Sequence, residues 1–205
     1  MFLAPHAGII GGAEVGCPEF WVPIVVLACV GKTRIVATAL AIPFAVSAIT
    51  FHLQLYAELT PVGKGFGWAF FVQIALILVW GFVTKAHATF RMNTHNLIGV
   101  AIALFGLVLY PMLGLVTERG WEGAEYFGMA PDPTIAFFLG IVLIGARPVW
   151  LWLFLLLPVP LLWVATTALT LDSLEAPFAM TLPIVAAITI VAAIWKAIFD
   201  RPHPA

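Results

Sequence analysis

His52 is the first candidate for chemistry, because it lies inside a long apolar segment where titratable side chains are rare. An ionisable group at membrane depth is costly and is by default a candidate functional residue. We consider two roles for it. In the first role it is a ligand, either of a metal or, axially, of a haem or (bacterio)chlorophyll. In the second role it forms hydrogen bonds to a neighbouring helix or to interfacial water. No second histidine lies at a comparable depth, so the sequence favours the second role.

The other histidines and the cysteines form no pattern that is typical of a catalytic or metal site. His87 and His95 lie eight residues apart without cysteine or carboxylate partners, which favours a solvated basic loop. Cys17 and Cys29 lie twelve residues apart, about 18 Å along a helix and beyond the reach of a disulfide. Cys17 is the candidate for an external bridge or ligand. We therefore predict no catalytic residue, no metal centre and no enzyme.

Three glutamates of the segment 118–134 are spaced to lie on one face of a helix. In that arrangement Glu118, Glu122 and Glu125 would attract a divalent cation. Rows of this kind are more often solvated, and the sequence favours a solvated face here.

The same segment ends in a motif of the form FGxxPxPT, which consists of Phe127, Gly128, Pro131, Asp132, Pro133 and Thr134. Gly128 permits a tight turn, and the two prolines stiffen the chain. Asp132 is placed to cap a helix whose first residue is Pro133. If the first residues of that helix lie inside the bundle, the partial positive charge of its N-terminus faces a cavity. Transporters use this arrangement to bind anionic groups. The alternative, which the sequence favours, is a purely structural cap.

The composition predicts the elements that position these residues. Of the 205 residues, 63% are hydrophobic and 9% are charged, whereas a globular domain has about 25% charged residues. The chain is therefore predicted to be an all-α, polytopic integral membrane helix bundle, with residues 1–205 in a single domain. This composition excludes a soluble domain, a disordered chain, a coiled coil and a disulfide scaffold. The formal charge of -1 offers no basic patch for nucleic acid.

A bilayer-spanning helix needs roughly 20 apolar residues, so the chain has room for about seven. The sequence predicts spans at residues 18–33, 35–56, 66–84, 97–117, 134–146, 149–171 and 177–199. Residues 1–19 are either interfacial or part of the first span, and Met1–Ile10 lacks the basic residues of a signal peptide. Pro158 and Pro160 predict a kink in the sixth span.

The basic residues sort by side when the chain is given these seven spans. One side holds Lys64 and Arg119, and the other holds Lys32, Arg34, Lys85, Arg91, Arg147, Lys196 and Arg201. Since Lys and Arg favour the cytoplasmic face, the N-terminus is predicted outside and the C-terminus in the cytoplasm. Every acidic residue except Asp200 then falls outside, Asp132 included.

Around the FGxxPxPT motif the chain resembles a bacterial family of multi-pass membrane proteins of unknown function. The resemblance covers roughly Arg34 to the end of the seventh span and rests on that motif, Phe51–His52, Tyr110–Pro111, Gly140, Pro158, Pro160 and Trp163. The N-terminal thirty residues depart from the family pattern. The resemblance implies a multi-pass protein of the bacterial inner membrane and carries over no activity, cofactor or catalytic residue.

Three classes of function remain, and the sequence favours a non-catalytic subunit or assembly factor of a larger membrane complex, such as a respiratory or photosynthetic one. Its partners would be lipid and other membrane subunits. Short loops, 16 Phe and 8 Trp suit a protein that works through its lateral packing surface. No well-formed span carries an acid, Lys or Arg in its core, which argues against ion-coupled transport. The alternatives are a small-solute transporter or channel that uses the short fifth helix, and a haem- or pigment-binding protein that uses His52.

Overall fold

A computed structural model describes residues 18–83, 93–116, 124–145, 149–173 and 178–199, and these are helical apart from short connecting turns. The described residues contain no β-strand, so the all-α expectation is confirmed for them. Their helices are α1 (Pro18–Cys29), α2 (Thr33–Val46, with a π-helical continuation Ser47–Tyr56 and a last turn Ala57–Leu59), α3 (Val62–Val83), α4 (Thr94–Leu104, with π-helical Phe105–Leu109 and then Tyr110–Val116), α5 (Pro131–Gly145), α6 (Val149–Leu156), α7 (Pro158–Ser173) and α8 (Thr181–Phe199).

Several of the predicted features lie outside the described residues. They are the interfacial segment before Pro18, Cys17, His87, and two members of the acidic row, Glu118 and Glu122. The cysteine and cation-row hypotheses therefore stay predictions, as does the solvated-loop hypothesis for His87, whereas His95 is helical and buried.

Among the described residues, four helices are long and apolar enough to cross a bilayer, namely Thr33–Leu59, Val62–Val83, Thr94–Leu113 and Thr181–Phe199. Helix α5 has 15 residues and is therefore about 22 Å long, shorter than a hydrocarbon core of about 30 Å. The predicted sixth span consists of two helices, since α6 ends at Leu156 and α7 begins at Pro158. The structure thus supports a membrane helix bundle, and the count of seven spans stays a prediction.

Helix α5 is the centre of the bundle. All fifteen of its residues are buried, and it packs against α1, α2, α4 and α8. A helix that is apolar on every face has no solvated side, which is the pattern of an element enclosed by others. Adjacent rings on α5 face different neighbours: Phe138 lies edge-on to Phe44 of α2, and Phe137 lies edge-on to Trp21 of α1.

Small residues let α4 approach α5 more closely than side chains would allow. A Cβ atom on Gly140 would lie 2.5 Å from both the Ala103 nitrogen and the Gly99 oxygen. A Cβ atom on Gly106 would lie 2.5 Å from the Phe137 nitrogen. Close packing of backbones through small residues is the usual way in which helices associate where apolar solvent removes the hydrophobic driving force. This contact fixes α5 against the helix that carries Tyr110.

The π-helical part of α2 positions His52. Pro43 has no backbone N–H and interrupts the regular ladder of hydrogen bonds just upstream of this segment. At its end the N–H of Ala57 donates to the carbonyl of His52, five residues back. Long π-helical stretches are rare and often occur at functional sites. The wider turn places Ser47, Ala48 and His52 in the interior of the bundle.

Candidate binding site at Asp132

The FGxxPxPT motif folds into a turn that is tied to the start of α5. Gly128 has φ 79°, a conformation that a side chain disfavours, and its N–H donates to the Thr134 hydroxyl oxygen at 2.8 Å. That hydroxyl donates in turn to the Ala130 carbonyl oxygen at 2.7 Å. Phe127 is fully buried, with ring centroids 4.7 Å from both Trp21 and Phe137. The turn therefore holds the first residues of α5 in a fixed place.

The helix begins at Pro131, so Asp132 is its second residue and not the capping residue that the sequence predicted. Thr134 provides the side-chain contact to the preceding turn instead. The Asp132 carboxylate is free to bond elsewhere, and it points into the bundle.

Asp132 is buried and accepts hydrogen bonds from two different helices. The Trp163 indole nitrogen on α7 donates to its Oδ1 atom at 2.6 Å, and the Tyr110 hydroxyl on α4 donates to its Oδ2 atom at 2.9 Å. Both donors are uncharged. The N-terminus of α5 adds a partial positive charge, which favours a carboxylate at this position. The protein therefore holds an acidic side chain in its interior without a cationic partner among these contacts.

Trp163 connects Asp132 to His52. The indole ring stands at 83° to the His52 imidazole, with 4.7 Å between their centroids. His52 is fully buried and also contacts the rings of Phe66 and Phe70, at 5.9 and 4.3 Å. Within the described part of the chain, neither nitrogen of His52 has a hydrogen-bond partner. The tetrapyrrole hypothesis for His52 stays a prediction.

A cavity of about 150 Å³ lies beside these residues; we call it the Asp132 pocket. Its wall contains the aromatic rings of Phe51, Tyr56 and Trp163. Asp132, Glu125 and three threonines of α7, Thr166, Thr167 and Thr170, also line the cavity. An apolar cavity of about this volume accommodates a molecule of the size of benzene. Concave, mostly apolar pockets with a few convergent polar groups are the usual form of a small-molecule site.

The Lys196 side chain, which the sequence placed on the cytoplasmic side, is almost fully buried. Its ammonium nitrogen donates to the carbonyl oxygens of Leu143 and Ile144 at the C-terminus of α5, the latter at 2.9 Å. Buried charges that bond to backbone carbonyls are one of the few ways in which lysine is tolerated in an apolar interior.

His95 is buried at the start of α4, and its Nε2 atom lies 3.5 Å from the Asn93 side-chain nitrogen. Within the described ranges no group of three His, Cys, Asp or Glu side chains is close enough to hold a metal ion. The helix breaks at Leu157, directly before the Pro158 and Pro160 pair.

The sequence did not assign Tyr110 and Trp163 as partners of Asp132. One signal was available, because Trp163 is the tryptophan that lies well inside a predicted span, where its N–H needs an acceptor. Nothing in the spacing links it to an acid that lies 31 residues earlier in the chain.

The fold and the pocket define a helical membrane-type bundle with a buried acidic site. The chain matches a family of unknown function (DUF6064) over residues 20–203 and belongs to that family. None of the curated proteins matches the chain, and none of the solved structures does.

Proposed function

We propose that this chain is a multi-pass protein of the bacterial inner membrane that binds a small solute in the Asp132 pocket, as a transporter or channel does. One observation carries the proposal: a buried carboxylate, held by two neutral donors, forms part of the wall of a pocket. Ionisable residues in the interior of membrane proteins are costly and commonly mark solute or ion pathways.

This proposal reverses the order of preference that the sequence indicated. The main argument against a transporter was that no buried charge was expected, and the structure buries both Asp132 and Lys196. The subunit role stays a prediction. The lateral surface exposes apolar residues such as Phe154 and Phe199. Contact with lipid explains these residues without a protein partner.

The proposed orientation places the pocket at the outer side of the membrane. The distribution of basic residues puts the turn between α2 and α3 outside, and Tyr56, on the wall of the pocket, lies close to that turn. Glu125, also on the wall, is only half buried, so the pocket lies near this end of the bundle. A solute would then enter from outside and meet Asp132.

Cysteine labelling tests whether water reaches the pocket. In a background with Cys17→Ala and Cys29→Ala, Thr166→Cys places a thiol on the pocket wall. We expect it to react with a charged, membrane-impermeant thiol reagent added outside intact cells. The matched control is Ala165→Cys, one residue away, exposed and not part of the pocket wall. It should stay unreactive, because a thiol in an apolar environment does not ionise readily.

Three other results would count against the proposal. A Thr166→Cys variant that does not react with reagent applied to either side of the membrane would show that the pocket is closed to water. Labelling only from the cytoplasmic side would contradict the orientation. Recovery of the native chain in mild detergent with a partner in fixed stoichiometry, and without any solute binding, would favour the subunit role instead.

A further inference from the structure

We infer that Asp132 is a proton-binding site, and that the ion which the Asp132 pocket exchanges with the surrounding solution is a proton. The inference rests on the proposed solute-binding function and names the coupling ion of that same site. It follows from the chemistry of the two groups that hold the carboxylate and from the position of Asp132 on the pocket wall.

The surroundings of Asp132 act on its two protonation states in opposite directions. Two hydrogen bonds and the N-terminus of α5 favour the charged carboxylate. Burial favours the neutral carboxyl group, because the side chain is only 5% exposed. Its hydrogen-bond partners among the described residues, Trp163 and Tyr110, are both uncharged. Asp132 can therefore bind a proton without the loss of a salt bridge to either partner.

The two partners of Asp132 differ in what they can do after a proton binds. In the charged state both donate, the Trp163 indole to Oδ1 at 2.6 Å and the Tyr110 hydroxyl to Oδ2 at 2.9 Å. An indole N–H only donates, whereas a tyrosine hydroxyl donates or accepts. When the proton forms an O–H bond with Oδ2, the Tyr110 hydroxyl rotates and accepts from it. Trp163 continues to donate to Oδ1, which is then the carbonyl oxygen, so each state of the carboxyl group keeps two hydrogen bonds.

The Asp132 pocket gives the proton a route to the carboxyl group. Asp132 lines this cavity of about 150 Å³, which is large enough to hold more than one water molecule. Water that enters from the outer side, in the proposed orientation, would carry the proton to Asp132. Because the solute would occupy the same pocket, solute binding and proton binding would change each other's affinity by the same factor.

The other titratable groups around Asp132 come from α2, α4 and the turn before α5. Within the described residues they are His52, Tyr56, Tyr110, Glu125 and Tyr126. Glu125 lines the same pocket, and the His52 ring lies 4.7 Å from the Trp163 ring. Titration of either residue could be confused with that of Asp132, so the experiment includes a variant of each.

Infrared spectroscopy of the full chain in detergent tests the proton site. The measured quantity is the C=O stretching band of a protonated carboxyl group, followed from about pH 9 to about pH 4. We expect a band that grows as the pH falls and is lost in Asp132→Asn. The matched control is Glu125→Gln, which removes the other acid of the pocket wall and should keep the band. His52→Leu should keep it as well.

Two further variants test the roles of the hydrogen-bond donors. Trp163→Phe removes a donor that stabilises the charged form more than the neutral form, so the midpoint of the band should move to higher pH by about one unit. Tyr110→Phe should move the midpoint less, because it also removes the acceptor of the carboxyl O–H group. If Asp132→Asn does not fold, these two variants still decide the matter. A midpoint that moves in neither variant would show that the titrating group is not Asp132.

The outcomes separate the inference from the proposed function. If Thr166→Cys is labelled from outside but the band is absent, or is kept in Asp132→Asn, the pocket is open to water and the proton inference is wrong. Loss of the band in Glu125→Gln alone would also overturn it. If Thr166→Cys is not labelled from either side, the proposed function itself fails.

Discussion

Asp132 and Lys196 lie at opposite ends of the same buried helix, α5. Asp132 is in its first turn, and Lys196, on α8, donates to carbonyl oxygens of its last turn. A helix carries a partial positive charge at its N-terminus and a partial negative charge at its C-terminus. Each end of α5 therefore meets a side chain of the opposite sign, and both charges stay in the interior without forming a salt bridge with each other.

Replacing Lys196 by Met should destabilise the bundle by about 1–3 kcal/mol, because the carbonyl oxygens of Leu143 and Ile144 lose a charged donor in a buried position. Met retains an apolar stem of comparable length, so the loss of stability measures the contribution of the ammonium group. Thermal unfolding followed by size-exclusion chromatography in detergent measures the change. Lys64→Met removes an exposed lysine from α3 and should have little effect. An equal loss in both variants would contradict the buried role of Lys196.

Asp132→Asn should also lower the free energy of unfolding, by about 1–3 kcal/mol. The amide has one acceptor oxygen, so it satisfies either the Trp163 indole or the Tyr110 hydroxyl and leaves the other donor without a partner. Tyr110→Phe removes the donor with the longer contact and leaves the carboxylate in place, so it should cost less, about 0.5–1.5 kcal/mol. The same unfolding assay, with Glu58→Gln as the exposed control, compares the three variants. A neutral result for Asp132→Asn would show that these hydrogen bonds do not form.

Gly140→Ala should be severely destabilising, since the new Cβ would lie 2.5 Å from backbone atoms of both Ala103 and Gly99, which cannot move aside as a side chain can. Gly65→Ala is the matched control, because a Cβ there meets nothing within 4 Å. It should be neutral or stabilising by up to about 1 kcal/mol, the difference in helix propensity. Comparable expression and stability of the two variants would contradict the close packing of α4 on α5.

The sequence predicted the helical class and most helix positions, because long apolar segments and their polar connections are local features. It also identified the turn before α5, since Gly128 and the prolines restrict the backbone within a few residues. The sequence did not predict the hydrogen bonds of Asp132. Tyr110 and Trp163 belong to other helices of the chain, and only the tertiary structure of the bundle brings them to the carboxylate.

The sequence assigned Asp132 to the outer side and Lys196 to the cytoplasmic side, and it did not predict that both side chains are buried. Charged residues beside apolar segments usually mark the membrane boundary, and hydropathy does not distinguish them from charges that bond to a helix end in the interior. Helix α5 is shorter than α2, α4 and α8, which pack against it. Its ends therefore lie within the bundle, where they need partners from neighbouring helices.

His52→Leu should keep the free energy of unfolding unchanged or raise it by up to about 1 kcal/mol. Within the described residues the imidazole has no hydrogen-bond partner, so its removal relieves a desolvation cost while an apolar side chain keeps contact with the surrounding rings. Phe70→Leu is the matched control: Phe70 is equally buried in the same cluster and has no polar atom to lose, so it should cost about 1–3 kcal/mol through lost packing. Unfolding in detergent compares the two variants, and absorption spectra of the purified proteins accompany it. A Soret band in the unmodified protein that disappears in His52→Leu would instead support the tetrapyrrole hypothesis. A loss of stability as large as that of Phe70→Leu would strengthen that conclusion.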